Sequence, residues 1–489
     1  MKLFEATKNI TRTENGMLSY VSSLNACVDF FLQAGGARGK NVEDIKTLFR
    51  KALEEDEEIA VRTLLWARDI REGAGERQIF RDLLPESPLT SRLIAVIPEL
   101  GRWDDLLALR GTQGWPAALE MIRKGLMEEG NSLCAKWMPR KGEQAAWLRN
   151  QLKLTPKQYR KLLVRLTRVV ESQMAVGEWD EIDYAKVPSL AFSRYARAFT
   201  RHSTERVERF LQEVKEGKSH INATAVYPYD IVKNFLRFLL EEDFEVGFDD
   251  SEWIDVYVRY GLSEPSFSFL EGQLMEEQWK SLPDWVDSSV SYLPVVDVSG
   301  SMLSCPIGPN LCPMFVAVSL GLYLAERNKG VFKDCLVTFS REPEMIQVRG
   351  SLMQRLNQTL SADWGGSTDL EAVFALLLEA AASHQVPQEE MPSAILILSD
   401  MQFDRATSGK PAFSMIREKY EAAGYALPRV VFWNLSTRGG NVPALAREDN
   451  AALVGGFSAS IVKRVLDADV LNPEKIMRDT VMTARYDWR

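Results

Sequence analysis

Ala394-Ile395-Leu396-Ile397-Leu398-Ser399-Asp400 is an apolar run that stops on a hydroxyl and a carboxylate. Apolar residues in unbroken succession, bounded by polar ones, predict a strand buried on both faces, as in a parallel sheet. The flanking sequence supports that reading. Upstream, Pro294–Asp297, Cys335–Phe339 and Glu344–Val348 read as strands, and Pro313–Glu326, Leu352–Leu360 and Leu370–Ala382 as helices. Downstream, Phe413–Ala423 and Ile461–Ala468 read as helices, Val430–Asn434 and Ala452–Val454 as strands. Apolar strands alternating with helices predict an α/β, doubly wound, Rossmann-like domain over residues 292–489. In such sheets ligands collect at the carboxyl ends of the strands.

Residues 1–260 have another texture. Short apolar-periodic segments such as Val42–Leu53, Glu57–Ile70, Pro116–Met127, Pro156–Val170, Leu190–Phe199 and Glu205–Val214 are separated by Gly, Pro or charged breaks. They predict an α-helical repeat region of HEAT-like kind, without a clean period. Residues 261–291, acidic and aromatic, are expected to form a connector packed on the repeats. The chain is therefore read as multidomain, with 292–489 able to fold alone.

Composition excludes several classes. A 489-residue chain with 46% hydrophobic and 26% charged residues is an ordinary globular composition. No apolar run is long enough to span a membrane, and the first residues, MKLFEATKNITRTENG, lack the apolar stretch of a signal peptide. Five scattered cysteines fit a reducing, cytoplasmic setting, and three distant histidines argue against a His-based zinc or catalytic cluster. There is no Walker loop and no GxSxG elbow, so a non-catalytic protein is expected. The net charge of −9 is unevenly spread: residues 241–288 hold 14 acids against 2 bases, whereas residues 1–240 hold 32 acids against 38 bases. The acidic total therefore does not exclude a nucleic-acid partner for the first 240 residues.

Three motifs lie where a ligand belongs. Asp297-Val298-Ser299-Gly300-Ser301 follows the first strand, Gly365-Gly366-Ser367-Thr368-Asp369 opens a helix, and Ser399-Asp400 ends the apolar run. Singly, each has an ordinary reading as a turn, a helix cap or a strand exit. Together they offer Asp297, Ser299, Ser301, Thr368 and Asp400 as oxygen ligands of mixed charge without thiolate or imidazole. That chemistry suits Mg²⁺, with Mn²⁺ or Ca²⁺ as alternatives.

A second tract is basic. Between Ser132 and Arg168 stand Lys136, Arg140, Lys141, Arg149, Lys153, Lys157, Arg160, Lys161, Arg165 and Arg168 against one acid, Glu143, with Trp137, Trp147 and Tyr159 interleaved. Lys157, Lys161, Arg165 and Arg168 fall on one face of a helix that starts with a Thr155-x-x-Gln158 capping box. This is either a phosphate-tracking stripe with aromatics for base stacking, or a solvated face paired with acids elsewhere, such as those of 241–288.

The motifs DVSGSM, GGSTDL and LSD resemble the metal-ion-dependent adhesion site of von Willebrand A domains, and Gly455-Gly456-Phe457-Ser458 looks like the closing part of such domains. The resemblance implies that Ser299, Ser301 and Thr368 hold the ion directly and that Asp297 and Asp400 act through water. One position stays open for an acidic group of a protein partner. The insertion from Cys305 to Cys312 departs from the pattern. Helical repeats followed by such a domain resemble the Ro autoantigen (TROVE) proteins. The phrases from Arg68 to Arg77, Ile97 to Leu106 and Lys136 to Arg140 look like those of a TROVE-like family of unknown function in bacteria, viruses and plants. What this implies is an RNA-binding scaffold, its RNA single-stranded or small and structured, met by Lys136, Arg140, Lys141, Arg149, Lys153, Lys157, Lys161, Arg165 and Arg168. The alternative is an adaptor that captures an acidic partner at the metal and has no RNA role.

Overall fold

The apolar run becomes the middle of a sheet. In a computed structural model of the chain, which describes residues 8–241 and 269–489 apart from 39, 168, 224–225, 287–289, 305–306, 309–310, 340–341, 363–366, 408 and 437–439, Ala394–Ser399 is strand β6. The other strands of its sheet are β3 (Tyr292–Asp297), β4 (Cys335–Phe339), β5 (Met345–Gln347), β7 (Arg429–Asn434) and β8 (Ala451–Gly455). Their order is β5-β4-β3-β6-β7-β8, parallel except for the antiparallel β4–β5 edge pair. Every residue of β3, β4, β6 and β8 is buried, so both faces of the sheet are covered. Helix Pro313–Arg327, buried from Pro313 to Ala325, is one of the covers. The register pairs Val296 with Leu398 and Ser399 with Asn434, which brings the ends of β3, β6 and β7 to one edge.

The N-terminal part is helical. Ala26–Ala34, Val42–Glu55 and Glu57–Arg68 follow in succession, with Asn25, Asn41 and Asp56 each accepting a first-turn amide. These caps satisfy donors that the helices cannot satisfy themselves. Helix Ser189–Lys215 joins two expected helices across a break at Ser203, whose backbone is not helical. Around it Tyr184, Phe192, Phe199 and Phe210 form a second apolar core, separate from the main one, which Leu274 of helix Phe269–Lys280 joins. No helix among the described residues is long and apolar enough to cross a membrane. Of the aromatics in and just before the connector, Trp253, Tyr257, Tyr260 and Phe267 lie outside the described residues. Trp279 is buried, and its indole N–H donates to Glu326.

The main core does not stop between the two parts. It runs from Phe31, Phe49 and Trp66 through to Val295, Ile397 and Val454. Helix Ala26–Ala34 meets the end of β8 so closely that a Cβ on Gly455 would lie 1.7 Å from the Leu32 carbonyl oxygen. Only glycine fits there. Polar bonds cross the same seam. Asp69, fully buried, accepts from Arg485 Nη2 at 2.9 Å and from the Tyr486 hydroxyl at 3.1 Å. Nearby, Asp105 accepts from Arg68 Nε at 2.8 Å, Arg81 Nε at 2.7 Å and the Arg102 amide at 2.9 Å. The charged phrases of residues 68–77 and 97–106 thus serve internal packing.

One element was unexpected. Ile10–Arg12 (β1) and Leu18–Tyr20 (β2) form an antiparallel hairpin in a region read as wholly helical. Three-residue strands of mixed polarity give no period to read. Their support comes from far along the chain: the Tyr20 amide donates to the Val442 carbonyl at 2.9 Å, and Val442 returns the bond at 2.8 Å.

Candidate metal centre and basic groove

At the carboxyl ends of β3 and β6 the first and third motifs meet. Asp297 and Asp400 are buried side by side, each repelling the other's charge. One Asp297 oxygen accepts the Ser299 amide at 2.9 Å, the other the Ser399 hydroxyl at 2.5 Å. The Ser299 and Ser301 hydroxyls lie 3.0 Å apart. Asp400 accepts the Gln402 amide at 3.1 Å, and the Gln402 carbonyl accepts the Thr368 hydroxyl at 2.7 Å. All five sequence-predicted positions thus belong to one web at one end of the sheet. The second motif does cap helix Leu370–Ser383, but through Asp369, which accepts the Ala372 amide at 2.9 Å, and not through Ser367 or Thr368. The Thr368 hydroxyl is left for other work. Gly365 and Gly366, and Cys305 of the insertion, lie outside the described residues, while Cys312 is buried at the start of helix Pro313–Arg327.

Three supporting residues escaped the sequence reading. Asp404 accepts the Thr368 amide at 3.1 Å and the Ser367 hydroxyl, fixing the second motif against the third. Gln402 bonds Asn441 at 2.8 Å. Asn15, from the turn of the hairpin, donates to Thr368 Oγ1 at 3.0 Å. A second carboxylate four residues past Asp400 was the one local signal for Asp404. Nothing local marks Asn15.

The residues fit a hard divalent cation. Among the described residues no three His, Cys, Asp or Glu side chains converge, so the donors here are hydroxyls and two carboxylates. Burial first, and then the adjacent Asp400, push the Asp297 carboxyl up to about 7. A cation between such groups would relieve both effects. A raised folded-state pKa stabilises the cation-free protein below the ordinary carboxylate range, and this contribution fades as pH rises through about 7. The cation needs the ionised form, so its binding should strengthen over the same interval, by about 30-fold between pH 5.5 and 8. Melting with and without Mn²⁺ at both pH values measures this. An equal Mn²⁺-dependent shift at the two would remove Asp297 from the centre.

The basic tract folds into helices Ser132–Trp137, Gly142–Gln151 and Pro156–Leu166. The last ends earlier than expected. Thr167 leaves the helical conformation and bonds back to the Leu163 carbonyl at 2.7 Å, so Val169 and Val170 do not extend its apolar face. Arg168 lies outside the described residues. Arg140, Lys141, Arg149, Lys157 and Arg160 line one groove of 580 Å³. Arg160 also borders a second groove of 740 Å³ with Lys161 and Arg165. Lys136 lies 5.2 Å from the Trp137 ring, and Lys153 sits in a left-handed turn between helices. Among the described residues, none of Lys136, Arg140, Lys141, Arg149, Lys153, Lys157, Arg160, Lys161 and Arg165 has an acidic partner within ion-pair distance. Acids of the connector pair elsewhere, Glu271 with Arg197 and Glu277 with Lys280. The Nε of Arg149 is sealed from solvent and bonds no protein atom. Arg160, passed over in favour of the i, i+4 stripe, is the cation shared by both grooves.

The aromatics behave differently from the sequence reading. Tyr159 is buried with its hydroxyl on the Pro139 carbonyl at 2.9 Å. Trp147 packs on Trp115 with ring centroids 4.6 Å apart and lies under Arg110, and Trp137 lies under Arg102 at 3.5 Å. These rings serve packing and cation–π contacts rather than offering free faces to bases.

Comparison with known proteins matches the chain to two families. Residues 13–84 and 136–289 match the family described as Domain of unknown function (DUF2828), and residues 291–486 match Domain of unknown function (DUF7788). The chain is also similar to Uncharacterized protein L728 of Acanthamoeba polyphaga mimivirus, with 29% identity over 96% of this chain and 86% of the relative.

Proposed function

We propose that this protein is a non-catalytic, cytoplasmic RNA-binding scaffold of Ro (TROVE) type, whose C-terminal part is a von Willebrand A-like domain with a Mg²⁺ centre. The observation that carries the RNA reading is the groove of Arg140, Lys141, Arg149, Lys157 and Arg160, which holds concentrated positive charge without an acidic partner among the described residues. Phosphates neutralise such charge, and each one bound releases counterions. With Trp147 and Tyr159 committed to packing, recognition rests on the backbone of a single strand more than on its bases.

The test is a salt titration. Replacing Lys157, Arg160 and Lys161 with Gln should weaken binding of a single-stranded RNA oligonucleotide whatever its sequence. It should also lower the slope of log affinity against log salt by about 2. Trp147→Ala and Tyr159→Ala should instead lower the melting temperature and leave the slope unchanged. Wild-type affinity weaker than about 10⁻⁴ M at physiological salt would set the RNA reading aside.

A second reading has its own observation, the buried Asp297–Asp400 pair beside three hydroxyls. Ser299, Ser301 and Thr368 would hold the cation directly, and Asp297 and Asp400 through water. When bound, it would supply a positive centre for a partner's carboxylate, which makes the protein an adaptor. Ser299→Ala with Thr368→Ala should abolish calorimetric Mn²⁺ binding with little change in far-ultraviolet circular dichroism. Binding that survives the double substitution removes this assignment.

A further inference from the structure

The hairpin reaches into the candidate metal centre, and it does so through directed bonds. Asn15 Nδ2 lies 3.0 Å from Thr368 Oγ1 and 2.7 Å from the Gln402 carbonyl oxygen. That carbonyl can only accept, so the amide nitrogen must face it, and the same NH₂ group lies against Thr368 Oγ1. Thr368 has one proton for two acceptors, the Gln402 carbonyl at 2.7 Å and Asp404 Oδ1 at 3.1 Å. Its two lone pairs remain. Asn15 takes one and leaves the other for a cation.

The rest of the hairpin fixes the loop that follows Asp400. The Glu14 amide donates to Gln402 Oε1 at 2.8 Å, and the Thr13 hydroxyl to the Phe403 carbonyl at 2.6 Å. The Arg405 amide donates to the Asn15 carbonyl at 3.2 Å. Within that loop Met401 is held at φ +64°, a left-handed conformation that a methionine rarely adopts. Its amide is bonded to Ser399 Oγ at 3.0 Å and its carbonyl to Asn441 at 3.1 Å. A strained turn between two proposed ligand segments persists only where its surroundings over-determine it. The hairpin supplies part of that constraint.

We propose that Asn15 is a positioning residue of the metal centre: it orients the Thr368 hydroxyl and, with the hairpin, holds the 401–405 loop in register for the cation. This rests on the metal-centre reading. It adds that the centre is assembled from both ends of the chain, so a protein lacking the hairpin has an incomplete site. Outer groups that orient ligands are worth about 10- to 100-fold in metal affinity when removed. Binding is also reciprocal, so the cation must strengthen hairpin docking by the same factor that docking strengthens the cation.

The experiment uses the full chain and Mn²⁺ alone, read by electron paramagnetic resonance of the free ion. Asn15→Ala should weaken Mn²⁺ binding about 10- to 100-fold. Arg12→Ala, which alters an exposed hairpin side chain bonded, among the described residues, to the Gly16 carbonyl, should leave it unchanged. Thr368→Ala reports on the metal reading itself. In the wild type, saturating Mn²⁺ should slow hydrogen exchange at the Tyr20 amide, and in Asn15→Ala it should slow it less. If Thr368→Ala abolishes binding while Asn15→Ala binds as the wild type does, the proposal is overturned and the metal centre stands. If Asn15→Ala binds more tightly, the hairpin is a cover rather than a support, and the proposal is likewise overturned. If the wild type binds no Mn²⁺, the metal reading falls and takes the proposal with it.

Discussion

Asp105→Ala should cost about 3–5 kcal/mol of folding stability, read as a lowered urea midpoint. Asp105 is fully buried, and Arg68, its partner, is only 3% exposed at its side chain. The carboxylate joins three segments: Arg68 ends helix Glu57–Arg68, Arg81 belongs to helix Arg77–Leu83, and the Arg102 amide opens the turn Trp103–Leu109. Removing it leaves the Arg68 guanidinium buried without its carboxylate, and breaking a buried pair from one side is far worse than never having made it. A paired control separates this from any loss of charge. Arg50 makes two short bonds to Glu86 but is exposed, and solvent screens the pair. Arg50→Ala should leave the unfolding curve where it is. An Asp105→Ala midpoint no lower than that of Arg50→Ala would mean the network is ornamental.

The second large effect concerns residues 292–489 expressed alone. Strand–helix alternation is complete within them, which is why the sequence predicts an autonomous unit. The packing predicts a molten or insoluble fragment. Without residues 8–36, the carbonyls of Phe403 and Val442 lose hydrogen-bond donors, and the end of β8 loses the helix that fits against Gly455. Without residue 69, Arg485 and Tyr486 lose a buried carboxylate. The fragment should bind a hydrophobic dye and lack near-ultraviolet circular dichroism while keeping far-ultraviolet signal. By contrast, a full chain cut by protease within residues 242–268 should stay one particle in gel filtration. A cooperative melt of the fragment within a few degrees of the whole chain would show that the seam adds little.

The legible and illegible parts of this sequence divide along physical lines. Strands β3, β4, β6 and β8 are buried throughout, so their apolar runs stand out, and the polar motifs follow at the ends of β3 and β6. That Asp297, Ser299, Ser301, Thr368 and Asp400 gather at one end of the sheet was legible because strand ends and short motifs are local. Asn15, Asp404 and the hairpin were not, because their partners are set by tertiary placement: Asn15 meets a residue 353 positions away. Helix Pro156–Leu166 was readable from its capping box, but its end was not, since a threonine bonding to its own helix looks in sequence like any other threonine. The basic stripe was readable as composition. Which cations share a groove depended on how the tract's own helices pack, and which rings are already engaged depended on Arg102, Arg110 and Trp115, which lie outside the tract.

The hairpin also sets a clock on synthesis. Thr13 leaves the ribosome early, but its acceptor, the Phe403 carbonyl, follows 390 residues later. At about 5–20 residues per second that is a wait of roughly 20–80 s. Ser19 waits longer still, for Val442, 423 residues on. A two-stranded ribbon this short is not stable in water by itself, so throughout that interval Ile10–Arg12 and Leu18–Tyr20 are an unpaired edge open to chaperones, proteases or another nascent chain. The helices between can pack as they emerge, whereas the web of bonds around Thr368 and Gln402 cannot close until Asn15 and the 401–405 loop coexist. In a pulse-labelled translation, protease resistance of the N-terminus should therefore appear only after residue 442 has cleared the ribosomal tunnel.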